Sequence, residues 1–338
     1  MKKAIRSTRA IKSIDIAKFL AAIMIIVLHT SPLADISLVA DKALIGFCRI
    51  GVPLFFAMSS YLFFLRKDGY GAYLKKYVLR LCKYWVVYSL LGILILRPPL
   101  GWDILKTFLF DGFGVVWFFH GCIVAMSLMV LLLHINGKGR LKPFVFIVPT
   151  VLYICALAMN SYFSVLPSGV QFFLERHYYP VFVTARNGFF SGTIYMLVGF
   201  LAAKSEGERR FGAIASRAGG AFALFAGELF LSWNITTKIH GRELFVTMPL
   251  LIYCLLDLIL VMNDKCDKVS DEVCFYLRKL SFALYGWQLL YIVIIPGTLN
   301  SLVRFVIITA LSVVTGMVLI KLSKIDNKYV KAIMGYFI

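Results

Sequence analysis

Three ionisable residues mark the first apolar run of the chain: Asp15, Lys18 and His29. Lys18 and His29 are eleven residues apart, which at about 100° per residue puts them on one face of a helix, about 16 Å apart along its axis. Asp15 lies within about 40° of the same stripe and can pair with Lys18 at i,i+3. Between them the stripe carries Ala21, Ala22 and Ile25, small residues that leave room for something to lie against the helix. An ionisable group among apolar residues of a membrane span is expensive and marks a functional interior by default. A neutral imidazole in such a place can accept a proton, so His29 is a candidate general base. The plainer alternative has Lys18 snorkelling to the interface and His29 making one structural hydrogen bond to a neighbouring helix. Two more cations sit at the edges of apolar runs. Arg49 begins the second run at about the depth of His29, and either faces an anion or forms a salt bridge to Glu228 or Asp257, of which only Glu228 has a matching depth. Arg186 and Asn187 start the sixth, where unpaired backbone N–H groups favour an anion; they could equally cap that helix.

The elements that must position these groups follow from composition. Of 338 residues, 60% are hydrophobic and 16% charged, with mean hydropathy +0.84. Soluble domains run nearer 45–50% apolar and about 25% charged. The chain therefore reads as an integral membrane protein, and an ordinary soluble enzyme is excluded. Apolar runs predict an all-α polytopic bundle of ten transmembrane helices near 14–31, 44–65, 79–96, 115–134, 143–160, 187–203, 218–234, 244–262, 280–297 and 301–320, in one domain over 1–338. An even number places both termini on one side. Of the 36 Lys and Arg, 26 fall in the N-terminal segment, 66–83, 138–142, 204–217, 265–279 and the C-terminal tail, against seven in the alternate loops. The positive-inside rule then puts both termini in the cytoplasm, with the basic loops against an anionic leaflet. The net charge of +19 is thus an orientation signal and calls for no nucleic acid.

Other chemistry is excluded by absent patterns. There is no CxxC, HExxH or paired His/Cys spacing, so no metal site is expected, and no GxxxxGK[ST] or GxGxxG for a nucleotide. Five of the seven cysteines lie in apolar runs, where they act as small hydrophobes. His134, His177 and His240 fall in loops; His120, one turn after Trp117, reads as interfacial packing. Trp102–Lys106 resembles a short interfacial helix.

The motifs in combination resemble the acyltransferase-3 family of integral membrane proteins. Lys18, ten residues and His29 are similar to that family's first-helix pair. Cys48-Arg49-Ile50-Gly51-Val52-Pro53-Leu54-Phe55-Phe56-Ala57-Met58-Ser59-Ser60-Tyr61 resembles its Gly-Val-Pro block, Lys76 to Trp85 its basic entry to the third helix, Trp117-Phe118-Phe119 its fourth-helix signature, and Arg186-Asn187-Gly188-Phe189-Phe190 its Arg-Asn-Gly element. More narrowly, that last element and Ser281-Phe282-Ala283-Leu284-Tyr285 resemble the membrane domain of the membrane-bound serine racemases of vancomycin-resistant bacteria. There, a cytoplasmic pyridoxal-phosphate domain follows, so such a domain, and a homodimer through it, are expected beyond Ile338. Departures are Gln288 where the family often has His, Val115 and Val116 in place of a His before the fourth-helix Trp, and Ser60 where Gly is usual.

The resemblance implies a reaction. A cytoplasmic acyl-CoA, usually acetyl-CoA, would be held by Lys76, Arg80 and Lys83 and reach inward along the first-helix stripe. His29 would deprotonate the hydroxyl of a small acceptor, with Asp15 holding Lys18 and Lys18 setting the local potential. Arg49, Ser59, Trp117, Arg186 and Asn187 would contact the acceptor or a developing oxyanion. The departures keep a second class open: a transport module that passes serine inward to a fused racemase, using the same cavity without an acyl donor.

Overall fold

The structure, a computed structural model, describes residues 11–66, 69–99, 101–111, 113, 116–205, 210–235 and 242–337. The predicted basic residues Lys2, Lys3, Arg6, Arg9, Lys67, Arg209 and Lys238, with His240 and Val115, lie outside them. Among the described residues the chain is all helical, with no strand: α1 (Lys12–Thr30), α2 (Leu38–Cys48), α3 (Gly51–Phe64), α4 (Tyr70–Leu96), α5 (Trp102–Lys106), α6 (Trp117–Asn136), α7 (Phe144–Met159), α8 (Ser168–Phe173), α9 (Tyr179–Phe182), α10 (Thr193–Lys204), α11 (Phe211–Ile235), α12 (Met248–Val261), α13 (Asp271–Ile294), α14 (Ser301–Ser323) and α15 (Lys328–Met334). A helix occupies each of the ten predicted segments. Among the described residues, six stretches are long and apolar enough to cross a membrane, namely α1, Leu38–Phe64, α4, α6, Phe211–Trp233 and α14; Phe144–Met159 and Gly188–Lys204 are shorter apolar helices. The other two segments are α12, of 14 residues, and α13, which opens on Asp271-Glu272 and carries Arg278 and Lys279.

The predicted helix at 44–65 differs from the structure in an instructive way. The helix begins earlier, at Leu38, where the Ser37 side chain accepts from Ala40 N, and it is interrupted at Arg49-Ile50. Both residues keep right-handed dihedrals. The physical reason is Pro53, which has no N–H to offer the carbonyl of Arg49 four residues back.

Packing is close where backbones cross without side chains between them. A Cβ on Gly188 would fall on the backbone of Gly121, and one on Gly199 on the backbone of Ala57 and Tyr61. Small residues of this kind let helices approach in lipid, where hydrophobic burial gives no drive between spans. A cluster of buried aromatics and methionines, including Phe56, Phe63, Phe225, Phe245, Met126 and Met196, fills the centre. Outward positions are apolar as well: Leu20, Leu94, Ile147, Ile154, Leu231 and Val306 are all exposed. Such a belt suits lipid and would be a large liability in water.

The stripe on α1 is packed, which corrects the sequence expectation. Ala21, Ala22 and Ile25 are 1%, 0% and 2% exposed. Gly51 of α3 lies against Ala21, so close that a Cβ there would stand 3.1 Å from the Ala21 carbonyl oxygen. The small residues make room for neighbouring helices, and that room is filled.

Candidate functional site

The loop between α11 and α12 carries an acidic residue that sequence reasoning passed over, Glu243, and the fold fixes it from several directions. Asn160 Oδ1 and Ser161 Oγ accept from Glu243 N at 3.2 and 3.1 Å, and Ser161 Oγ also accepts from Leu244 N at 3.0 Å. Tyr153 Oη donates to the Phe245 carbonyl at 2.7 Å. Glu228 of α11 accepts from Val246 N, Thr247 N and Thr247 Oγ1 at 2.5, 2.8 and 2.6 Å, and from Tyr162 Oη at 2.5 Å. With Leu244 and Phe245 only 4% and 0% exposed, the loop is both fastened and anchored. Its backbone groups have partners other than water, which suits a loop at this depth.

The Glu243 carboxylate bridges two guanidiniums. Arg49 Nη1 lies 2.7 Å from Oε1 and Arg186 Nη1 2.6 Å from Oε2. This replaces the predicted pairing of Arg49 with Glu228 or Asp257. Glu228 is committed to the loop, and Asp257 lies 3.8 Å from Arg217. Arg186 also rests on Trp117, its guanidinium carbon 4.8 Å from the ring centroid, a cation–π contact. Burial by itself would raise the Glu243 pKa, but the charges and hydrogen bonds of Arg186 and Arg49 outweigh it and hold the carboxyl below its ordinary value.

A cavity of about 60 Å³ opens beside this triad, lined by His29, Arg49, Arg186, Glu243, Trp117 and Tyr285, by Ser191 and Tyr195, and otherwise by apolar residues that include Phe56 and Leu244. The His29 ring is exposed, and its charged neighbours are Arg186, Arg49 and Glu243. His29 lies in the last turn of α1, which Ser31 closes in a left-handed turn (φ 48°). The connection that follows is tied to α14 by Asp35 Oδ2 accepting from Ser301 N at 2.6 Å and by Ser301 Oγ donating to the Pro32 carbonyl at 3.0 Å. Arg186 is delivered by the turn before Gly188, whose contact with Gly121 brings it one helical turn from Trp117. Asn187 works in that turn. Its Oδ1 accepts from Phe190 N at 2.9 Å and its Nδ2 donates to the Thr184 carbonyl at 3.0 Å, capping the π-turn Gly188–Gly192.

Four predicted residues thus meet at one cavity: His29, Arg49, Trp117 and Arg186. Asn187 caps beside it, and Ser59, half-buried in α3, is not among the lining residues. The other predicted residues gather at the opposite end of α1. There Asp15 pairs with Arg278 Nε at 3.1 Å, in place of the expected partner Lys18. α13 runs beside α1, so an interhelical partner prevails over the i,i+3 neighbour. Lys18 is half-buried, with Asp15, Arg278 and Arg80 as its charged surroundings. Lys76 and Arg80 are exposed on α4, and Lys83 Nζ lies 3.7 Å from the Tyr336 ring centroid. A larger cavity, of about 570 Å³, also lies at this end, between Tyr70, Leu74, Val130, His134, Phe200 and Lys204; Lys76, Arg80 and Lys83 do not line it. Among the described residues no cluster of His, Cys, Asp and Glu could hold a metal ion.

Comparison with known proteins bears on the whole chain. A family described as an acyltransferase domain matches residues 11–321. Two similar proteins, both from Enterococcus faecalis, carry the name amino-acid racemase. One is 23% identical over 334 residues, covering 92% of this chain and 46% of the relative. The other is 25% identical over 272 residues, covering 75% and 36%. The chain therefore spans less than half the length of these curated relatives. No solved structure matches it.

Proposed function

The chain belongs to the acyltransferase-3 family, and we propose that it is a membrane-embedded acyltransferase domain in which His29 is the general base toward an acceptor hydroxyl. The observation that carries this reading is the exposed imidazole of His29 in a cavity shared with Arg49, Arg186, Glu243 and Trp117. In the proposed reaction the acceptor oxygen attacks the thioester carbonyl of an acyl-CoA while neutral His29 takes the hydroxyl proton. The tetrahedral intermediate collapses by breaking the carbon–sulfur bond, and the departing thiolate takes up the proton that His29 holds, which restores the base. Trp117 and Phe56 wall the site, and the two guanidiniums stand where negative charge is carried, on an oxyanion or on an acceptor carboxylate. Acetyl-CoA is the proposed donor, with Lys76, Arg80 and Lys83 holding its phosphates and Lys18 the next cation inward. Because the α1 stripe is packed, the donor's arm needs another path between helices. Ten spans, cytoplasmic termini and the plasma membrane complete this reading.

A second reading is favoured by the names of the two relatives. In it the same cavity passes serine inward to a racemase domain that needs pyridoxal phosphate, and no acyl group moves. Acetyl-CoA turnover by the purified chain separates the two. His29→Ala is expected to fold normally, as judged by its melting profile, and to lose acyl transfer by about 10²- to 10⁴-fold, the usual worth of a positioned base. Full turnover in that variant would defeat the assignment of the base; absence of both donor binding and turnover in a well-folded wild-type sample would favour serine flux.

A further inference from the structure

We infer that the cavity beside Glu243 receives the carboxylate group of a small, singly charged ligand, and that Glu243 is the specificity-determining residue that sets this charge preference. The inference rests on the proposed function in placing the ligand at this cavity and in taking His29 as neutral there.

The first ground is charge. Arg49, Arg186 and Glu243 are the lining groups that carry charge at neutral pH, and His29 is a further titratable group, the one with a base's role. Guanidiniums do not lose their protons in proteins. With His29 neutral, as a base must be, one positive charge is left over. The acids on the surrounding elements are engaged elsewhere. Glu228 binds the 246–247 backbone, Asp41 accepts from Leu33 N at 3.0 Å, and Asp35 is tied to Ser301. A carboxylate cancels the surplus; a phosphate dianion would overshoot it.

Donor count points the same way. A guanidinium has five N–H groups, and Glu243 takes one from each arginine through Nη1. Arg186 Nε is buried and has no hydrogen-bond partner. A buried donor without an acceptor is costly; Nε itself is closed to solvent, but the Arg186 side chain is 26% exposed, so an arriving oxygen meets the other N–H groups that Glu243 leaves free. Glu243 itself cannot swing over to serve them without releasing Arg49, because the Asn160, Ser161 and Glu228 contacts hold its loop in register.

Size is the third ground. A cavity of about 60 Å³ is ample for a small polar head such as a carboxylate. Trp117, Phe56, Val52, Pro53 and Leu244 make most of the wall apolar, so a charge seated there meets few competing waters. The exposed His29 imidazole on the same cavity makes a hydroxyl close to the carboxylate the natural second feature, as in a small hydroxy or amino acid.

The test uses the full chain in detergent or nanodiscs, titrated calorimetrically with glycolate, glycolamide and inorganic phosphate, and with L-serine and L-serinamide. The acids should bind saturably and the amides roughly ten- to hundred-fold more weakly, the worth of a charge-assisted pair. Glu243→Gln adds one positive charge to the cradle and should bring phosphate level with or ahead of glycolate. Arg49→Lys keeps the charge but loses the fork, and should weaken glycolate without that change of preference, which covers the case of a Glu243→Gln sample that does not fold. Amides that bind as well as acids, no binding of any acid, or an unchanged glycolate-to-phosphate ratio in folded Glu243→Gln would overturn the inference. Carboxylate-dependent binding without acetyl-CoA turnover would leave it standing while removing the acyltransferase reading.

Discussion

The two ends of α1 each gather acids and bases from several helices, yet they are held in different ways. At the His29 end, two guanidiniums share one carboxylate on a loop whose backbone is fastened by Asn160, Ser161, Tyr153 and Glu228. At the Lys18 end, Asp15 takes a single contact from Arg278, which is 46% exposed, and Lys76 and Arg80 reach outward from α4. The first cluster is preorganised around a cavity before a ligand arrives, as sites that bind or stabilise charge need to be. The second has the looseness of an interfacial anchor, where a cation answers to whatever phosphate or headgroup is near. The difference is made by backbone, since one group sits on a fastened loop and crossing glycines while the other sits on helix surfaces.

Glycine substitutions give the largest contrast. Gly188→Ala would place a methyl on the Gly121 backbone and force α6 away from the turn that carries Arg186. A loss of about 3 kcal/mol is expected, at the upper end for overpacking, together with loss of any ligand binding at the cavity. Gly71→Ala, near the start of α4 with nothing within 4 Å, should be neutral or stabilising by up to about 1 kcal/mol. Melting midpoints of the two variants in the same detergent make the measurement; equal effects would mean that the crossing is not what fixes the site.

Carboxylates come next. Glu228→Gln trades an acceptor of four hydrogen bonds for an amide that must turn an N–H₂ toward donors, and should cost about 2–4 kcal/mol. Asp15→Asn removes one exposed-partner ion pair and should cost at most about 1 kcal/mol. If the two variants melted together, the fastened loop would be no more rigid than the interface.

Acid titration is a finer probe of the same contrast. Glu243 has a pKa held below its ordinary value of 4.5. A carboxyl depressed in the folded state contributes stability that is present above the unfolded value and is lost as pH falls through the folded value. The wild type should therefore keep this contribution at neutral pH and begin to lose it only below about 4.5, while Glu243→Gln should show a flatter decline of melting temperature in that window. Parallel declines in the two proteins would show that the arginines do not hold the carboxylate.

Much of this layout is readable from local features of the sequence, and the exceptions share one cause. Apolar run length locates the helices because lipid removes the ambiguity of short soluble elements. His29, Arg49 and Arg186 stand out as charges at the edges of apolar runs, and Trp117 as part of a motif. Glu243 does not stand out: an acid beside Arg242 in a loop looks like ordinary solvated surface until α2, α7 and α10 are known to meet there. Its only local sign is that Leu244-Phe245 follow at once, so the loop could not be fully solvated. Pro53 carried a signal for the interruption at Arg49, four residues before it. Ala21 and Ala22 are ambiguous by nature, because small residues mark space for a ligand and close helix packing equally well. Pairings such as Arg278 with Asp15 depend on helix adjacency, which no single segment encodes.

The smallest expected effect concerns how the loose end is covered. Lys83 faces the Tyr336 ring, Tyr88 Oη donates to the Phe337 carbonyl at 3.1 Å, and the Phe337 ring lies 5.8 Å from that of Trp287. The segment after α15 thus lies over the cation that the donor's phosphates would use, with Phe337 wedged between α4 and α13. If that end is an adaptable surface, as the comparison holds, the cover should yield easily. Tyr336→Ala should raise the rate at which Lys83 reacts with a water-soluble amine reagent by about two- to five-fold, because an exposed cation–π contact is worth only about 0.5–1 kcal/mol. Phe337→Ala removes more apolar contact and should act further on Ser89→Cys, a buried α4 position one residue beyond Tyr88, exposing it to a maleimide. Unchanged reactivity at both positions would mean that this end is held as firmly as the cavity at the other, and the contrast between them would have to be drawn from charge alone.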